Sequence, residues 1–129
     1  MLSQGPVPTV VHGAIEYAVG LLLIVAPFVF AFDATSATAA SVVLGLALLA
    51  FTATSHLPTA LVKSISTGVH VTVDVVLAVL LVALPFLFGF TEEGAPTAMF
   101  ITLGVAHLLV TIATRFPERT SARGGETPA

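Results

Sequence analysis

HGAIEYAVGLLLIVAPFVFAF, residues 12–32, returns 58 positions later as HVTVDVVLAVLLVALPFLFGF, residues 70–90. Seven of the 21 positions are identical: the His, a Leu-Leu pair, Pro-Phe and two further Phe; Glu16 is answered by Asp74. Each copy leads into a second apolar stretch centred on a Leu-Gly pair, Leu44-Gly45 and Leu103-Gly104, with Thr52 and Thr111 trailing at equal distance. Self-similarity on this scale marks a duplicated supersecondary unit, here two apolar segments repeated once.

Composition names the solvent. The 129 residues are 57% hydrophobic and 9% charged, whereas a soluble domain carries about a quarter charged residues to face water. Four apolar stretches stand out, about Val10 to Phe32, Thr38 to Ser55, Val69 to Phe90 and Pro96 to Phe116. Each is close to the roughly 20 residues that cross a hydrocarbon core of about 30 Å. Lipid cannot satisfy backbone N–H and C=O groups, and the runs lack the alternation of barrel strands, so helices are expected. The fold class is therefore all-α: a polytopic membrane protein of four transmembrane helices, built as two tandem parallel two-helix repeats. With an even number of spans per unit, both copies enter from the same side and are related by an axis along the membrane normal.

The run Ala34 to Ala40 has the small residues of a signal-peptide cleavage site. The first nine residues lack Lys and Arg, the apolar run is long for a signal, and its twin lies mid-chain, so a retained first helix is expected. All four basic residues, Lys63, Arg115, Arg119 and Arg123, lie between the second and third spans or at the end of the fourth and beyond, while the other two loops hold Asp33 and Glu92-Glu93. The cell membrane is the expected location, and the positive-inside tendency puts the loop around Lys63 and both termini in the cytoplasm. The expected organisation is a short cytoplasmic N-terminus (1–9), a first repeat (10–55), a cytoplasmic connector with His56 and Pro58 (56–68), a second repeat (69–116) and a disordered cytoplasmic tail (117–129). Asp33 to Ala37 and Thr91 to Pro96 read as hairpin turns, short enough for antiparallel helix pairs.

Pro27-Phe28 and Pro85-Phe86 fall at the outer boundary, where proline ends or kinks each first helix and phenylalanine packs in the outer leaflet. A two-helix membrane repeat with a small residue, Pro and an aromatic near the end of its first helix, followed by a Gly-containing second helix, resembles the SPW-repeat family of small bacterial integral membrane proteins. The resemblance covers roughly residues 10 to 116. It departs at the signature, which reads Ala26-Pro27-Phe28 and Leu84-Pro85-Phe86 in place of Ser-Pro-Trp. It implies an integral membrane protein and carries over no catalytic residues.

Whatever chemistry exists lies in polar residues inside the spans. His12 and Glu16 are four apart, as are His70 and Asp74, so each pair shares a helix face. Gly20 and Ala78 continue those faces; Gly104, His107, Thr111 and Thr114 form a comparable stripe on the fourth helix, and Ser41, Gly45, Thr52 and Ser55 on the second. Small residues on such stripes suit close helix packing, expected toward the bundle centre and the partner repeat. At 1.5 Å per residue Glu16, Asp74 and His107 fall in one layer, about 8 to 12 Å inside the cytoplasmic boundary, with His12, His70 and His56 one turn nearer the cytoplasm.

Three functions fit this polar layer. The first is a structural or interaction module, with histidine–carboxylate pairs as glue between repeats and either a homo-oligomer or another membrane protein as partner. The second is a small proton-coupled transporter or channel using Glu16 and Asp74, since an intramembrane ionisable group is costly and marks function by default. The third is a haem or metal site on His12 and His70, for which the sequence identifies no supporting second shell. The first is favoured, with no cofactor and no metal assigned. A phosphate loop, a nucleophile elbow and a metalloprotease motif are all missing, and no enzyme is expected. There is no cysteine, which excludes disulfides and thiolate chemistry, and the net charge of −3 offers no basic patch for nucleic acid.

Overall fold

The computed structural model describes residues 6–54, 60–61 and 65–115. These form four helices, α1 (Thr9–Val29), α2 (Thr35–Ala53), α3 (Thr67–Leu87) and α4 (Gly94–Ala113). Their mean hydropathy of 1.8 to 2.3 and lengths of 19 to 21 residues suit membrane crossing. The side chains left exposed, among them Leu21, Val25, Val43, Val79, Phe86 and Leu109, are those that lipid solvates. The chain is an all-α, multi-pass membrane protein.

Both prolines sit inside their helices, and each helix runs two residues beyond its proline. Expected as a terminator or kink, the proline is accommodated because it lies in the last turn, where one missing N–H frees only one carbonyl. In α1 that carbonyl is Leu23 O, and the Ser41 hydroxyl of α2 donates to it. The real stop comes three to four residues later. Ala31 and Gly89 take positive φ, 49° and 71°, while the N–H groups of Phe32 and Phe90 return to Pro27 O and Pro85 O at 2.9 and 3.0 Å. This six-to-one closure is the Schellman motif, built twice. It ends α1 and α3 at Val29 and Leu87, short of the Phe32 and Phe90 expected from apolarity alone. Phe90 turns inward and packs edge-on against Phe100.

The other ends also move. The threonine- and alanine-rich start of α2 is helical from Thr35, inside the expected turn, and α4 begins at Gly94. Thr67 and Gly68, expected in the connector, open α3 behind an Ser66 hydroxyl that accepts from Val69 N–H. Residues 55–59, 62–64 and 116–129, which hold Ser55, His56, Pro58, Lys63, Arg119, Arg123 and the expected tail, lie outside the described residues, as do residues 1–5.

α1 packs along α2 and α3 along α4. Each tight pair needs a glycine at the crossing. A methyl on Gly45 would sit 2.6 Å from Gly20 O, and one on Gly104 would sit 2.8 Å from Ala78 O. These small residues thus bring helices together within a hairpin, and not toward the partner repeat as the stripe suggested. Between hairpins, Leu23, Leu81, Leu84, Phe90 and Phe100 fill the half nearer the hairpin loops. A feature with no sequence signal closes the opposite end: β1 (Val7–Pro8) pairs in parallel with β2 (Thr114–Arg115), Val7 facing Thr114. The start of α1 and the end of α4 therefore share one end of the bundle.

Candidate functional site

Four helical turns from the hairpin loops, the apolar core gives way to a buried polar cluster. His12, Glu16, His70 and Asp74 are fully buried, and His107 is nearly so. The i, i+4 spacing puts both members of each pair on the inward face of α1 or α3, and the pairs then interlock across the repeats. His12 Nε2 lies 3.0 Å from Glu16 Oε1 on its own helix and 3.0 Å from Asp74 Oδ2 on the other. His70 Nε2 lies 3.0 Å from Glu16 Oε1 and 3.3 Å from Asp74 Oδ2. Reciprocal contacts of this kind are what a two-fold relation between repeats produces. The two layers expected from depth thus merge, because each imidazole reaches down one turn to both carboxylates.

The outward-facing atoms of His12 and Glu16 are also held. Thr114 Oγ1 donates to Val110 O at 2.6 Å, so its lone pair accepts from His12 Nδ1–H at 2.7 Å. Thr52 donates to Glu16 Oε2 at 3.0 Å. His107 Nε2 stands 3.4 Å from Asp74 Oδ1, and the His70 ring stacks on Phe51 with centroids 4.6 Å apart. Every helix therefore contributes. An unpartnered polar group in this setting costs about 1 to 3 kcal/mol, so each bond in the set stabilises the groups it joins.

The expected site residues divide cleanly. His12, Glu16, His70, Asp74 and His107 converge; Gly20, Gly45, Ala78 and Gly104 set the interhelix distance beside them. Pro27, Phe28, Pro85 and Phe86 lie near the far ends of α1 and α3, with Phe28 and Phe86 71% and 64% exposed. They take no part in the cluster. Sequence stripes contained Thr52 and Thr114 without assigning them a partner, and Phe51 carried no signal. Glu93 was also missed as a contact: its carboxylate accepts from the Asp33 and Ala34 N–H groups at 2.5 and 2.9 Å and joins the two hairpin loops.

The family model of the SPW repeat domain matches residues 10–114, the whole of the two hairpins. The chain belongs to the SPW-repeat family. No curated protein and no solved structure matches it. In this SPW-repeat chain the segment bearing Ala-Pro-Phe and Leu-Pro-Phe is the Schellman-capped end of the first helix of each repeat, while His12, Glu16, His70 and Asp74 lie at the other end of the same helices.

Proposed function

We propose that this protein is a structural or interaction module of the cell membrane, not an enzyme, with its histidine–carboxylate cluster serving as the lock between two hairpins. The observation that carries the reading is the crossing of partners: His12 with Asp74 and His70 with Glu16, each at 3.0 Å. Apolar packing of Leu23 on Leu81 does not specify which rotation of one hairpin against the other is correct, whereas a mutually satisfied polar set does. The locked bundle presents apolar helix faces to lipid and to a partner, either a second copy or another membrane protein. The basic residues near Lys63 and after Thr114 support an orientation with both ends in the cytoplasm.

The test is the double variant Glu16→Gln, Asp74→Asn, measured in lipid for folding, assembly and proton-linked flux. Amides keep hydrogen-bonding capacity and lose ionisation. Retained folding and assembly, with no flux in parent or variant, is the expected result. A variant that is stable and assembled yet has lost a proton-linked flux shown by the parent overturns the packing reading in favour of a proton-coupled transporter.

A further inference from the structure

His12 Nε2, Glu16 Oε1, His70 Nε2 and Asp74 Oδ2 alternate nitrogen and oxygen around a ring with sides of 3.0, 3.0, 3.0 and 3.3 Å. One donor atom from each of the four residues lies within 4.8 Å of all the others. A tetrahedral zinc ion with ligands at about 2.1 Å separates its donors by about 3.4 Å, so the four sides need to open by a few tenths of an ångström while a cross-ring pair near the 4.8 Å limit closes by about 1.4 Å, a puckering of the ring around the ion. We propose that this ring is a binding site for one divalent first-row transition-metal ion of the zinc(II) class, held by two imidazoles and two carboxylates at the centre of the bundle.

Three observations converge on that site. First, charge and proton arithmetic: both Nε2 atoms face carboxylate oxygens, so something positive must lie between them. Because Thr114 fixes a proton on His12 Nδ1, the Nε2 lone pair of neutral His12 points into the ring. Two carboxylates with two neutral imidazoles carry −2, which one dication balances; without the ion, protons in the ring close it by hydrogen bonds. Second, two of the four ligands have on their outward atoms the hydrogen-bonded supports that metal ligands require, and the other two are packed against a ring. His12 Nδ1 is bound to Thr114, Glu16 Oε2 to Thr52, Asp74 Oδ1 faces His107, and His70 is stacked on Phe51. Each ligand thus offers one atom inward, and hydrogen bonds fix the rotation of His12 and Glu16. Third, His107 is only 2% exposed, and its ring nitrogens have no hydrogen-bond partner among the described residues, while Nε2 points at the far oxygen of Asp74. A ligand carboxylate drawn to the metal, with its second oxygen turned to that imidazole, gives this nitrogen a role. Hard dications such as Mg²⁺ prefer all-oxygen octahedra and fit the donor set poorly.

The inference goes beyond the packing reading, and the two fail separately: packing is judged by assembly, the metal by content and spectrum. The full chain, purified in native lipid from cells supplied with Zn²⁺, is expected to hold about one zinc per chain, the stoichiometry of a single four-ligand site. Chelator-stripped protein loaded with Co²⁺ is expected to show the intense visible bands of a tetrahedral N/O site. Thr114→Val should weaken Zn²⁺ binding by about 10- to 100-fold, the usual effect of losing such a support. A His12→Gln, His70→Gln double variant should lose the metal. Failure of the parent to hold zinc or to take up Zn²⁺ or Co²⁺ overturns the proposal, as does metal retained by a folded double variant. If that variant does not insert, the parent's cobalt spectrum decides: weak octahedral bands overturn the site, tetrahedral bands establish it.

Discussion

The two repeats differ most where they are closest to each other. In the first, Glu16 has four contacts of 3.1 Å or less, with His12, His70 twice and Thr52. In the second, the carboxylate is one methylene shorter. Asp74 meets His12 at 3.0 Å, His70 at 3.3 Å and His107 at 3.4 Å, while Thr111, the counterpart of Thr52, bonds its own helix at His107 O. His107 itself stands where the first repeat has Leu48, and Phe100 stands where it has Ser41. A duplication begins with identical halves, and the centre of a two-fold assembly is where identity is hardest to keep, since two equal groups must share one space. A longer carboxylate on one side and a shorter one with an added imidazole on the other resolve that competition.

The largest expected effect tests this inequality directly. Glu16→Leu takes from His12 and His70 one of their two carboxylates and from Thr52 its bond to Glu16, and should destabilise the bundle by about 3 kcal/mol, the cost of breaking a buried pair. Asp74→Leu should cost less, because its contacts are longer. Unfolding in mixed micelles followed by circular dichroism ranks the two, and equal or reversed losses would break the comparison. Next come the crossings. Gly45→Ala forces a methyl to within 2.6 Å of Gly20 O, an overpacking of about 2 kcal/mol, and Gly104→Ala should lose nearly as much. The same unfolding assay, with assembly checked by size, reads both.

Smaller still is Ser41→Ala. It removes the hydroxyl that serves the carbonyl left free by Pro27, and about 1 kcal/mol should be lost. A null result would mean that the first repeat tolerates its proline as the second does, with Phe100 at that place. The smallest effects have opposite signs. Ala31→Gly relieves a positive φ and should stabilise by less than about 1 kcal/mol, whereas Gly89→Ala, in open space, should cost a similar amount through backbone strain alone. Paired thermal shifts of opposite direction are the readout.

The duplication, the four spans and the inward faces of His12, Glu16, His70, Asp74 and His107 are legible because each is a matter of periodicity, and periodicity is written in one dimension. Helix ends are less so: Phe32 and Phe90 are as apolar as any span residue, and only the φ at Ala31 and Gly89 stops the helix before them. The small residues Thr35 to Ala37, at the end of the expected turn, look like loop but cost little inside a helix already bounded by lipid and α1. Partners are least legible of all. A stripe tells which way a side chain points and not what it meets, so Thr114 and Thr52 could be placed on faces while their bonds to His12 and Glu16 depended on how the hairpins are rotated. The β1–β2 ladder, two residues on each side, is too short to leave a pattern.

The bond between His12 and Thr114 spans 102 positions, and that distance is also a delay. A ribosome delivers His12 to the membrane long before Thr114 exists. During the interval, the first hairpin keeps its polar groups occupied from within, His12 and Thr52 both turning to Glu16. The second hairpin can do likewise with His70, Asp74 and His107. Each half thus holds within itself some of the bonds that the other half completes, and Thr114, just past the end of α4, is the last member of the cluster to be synthesised.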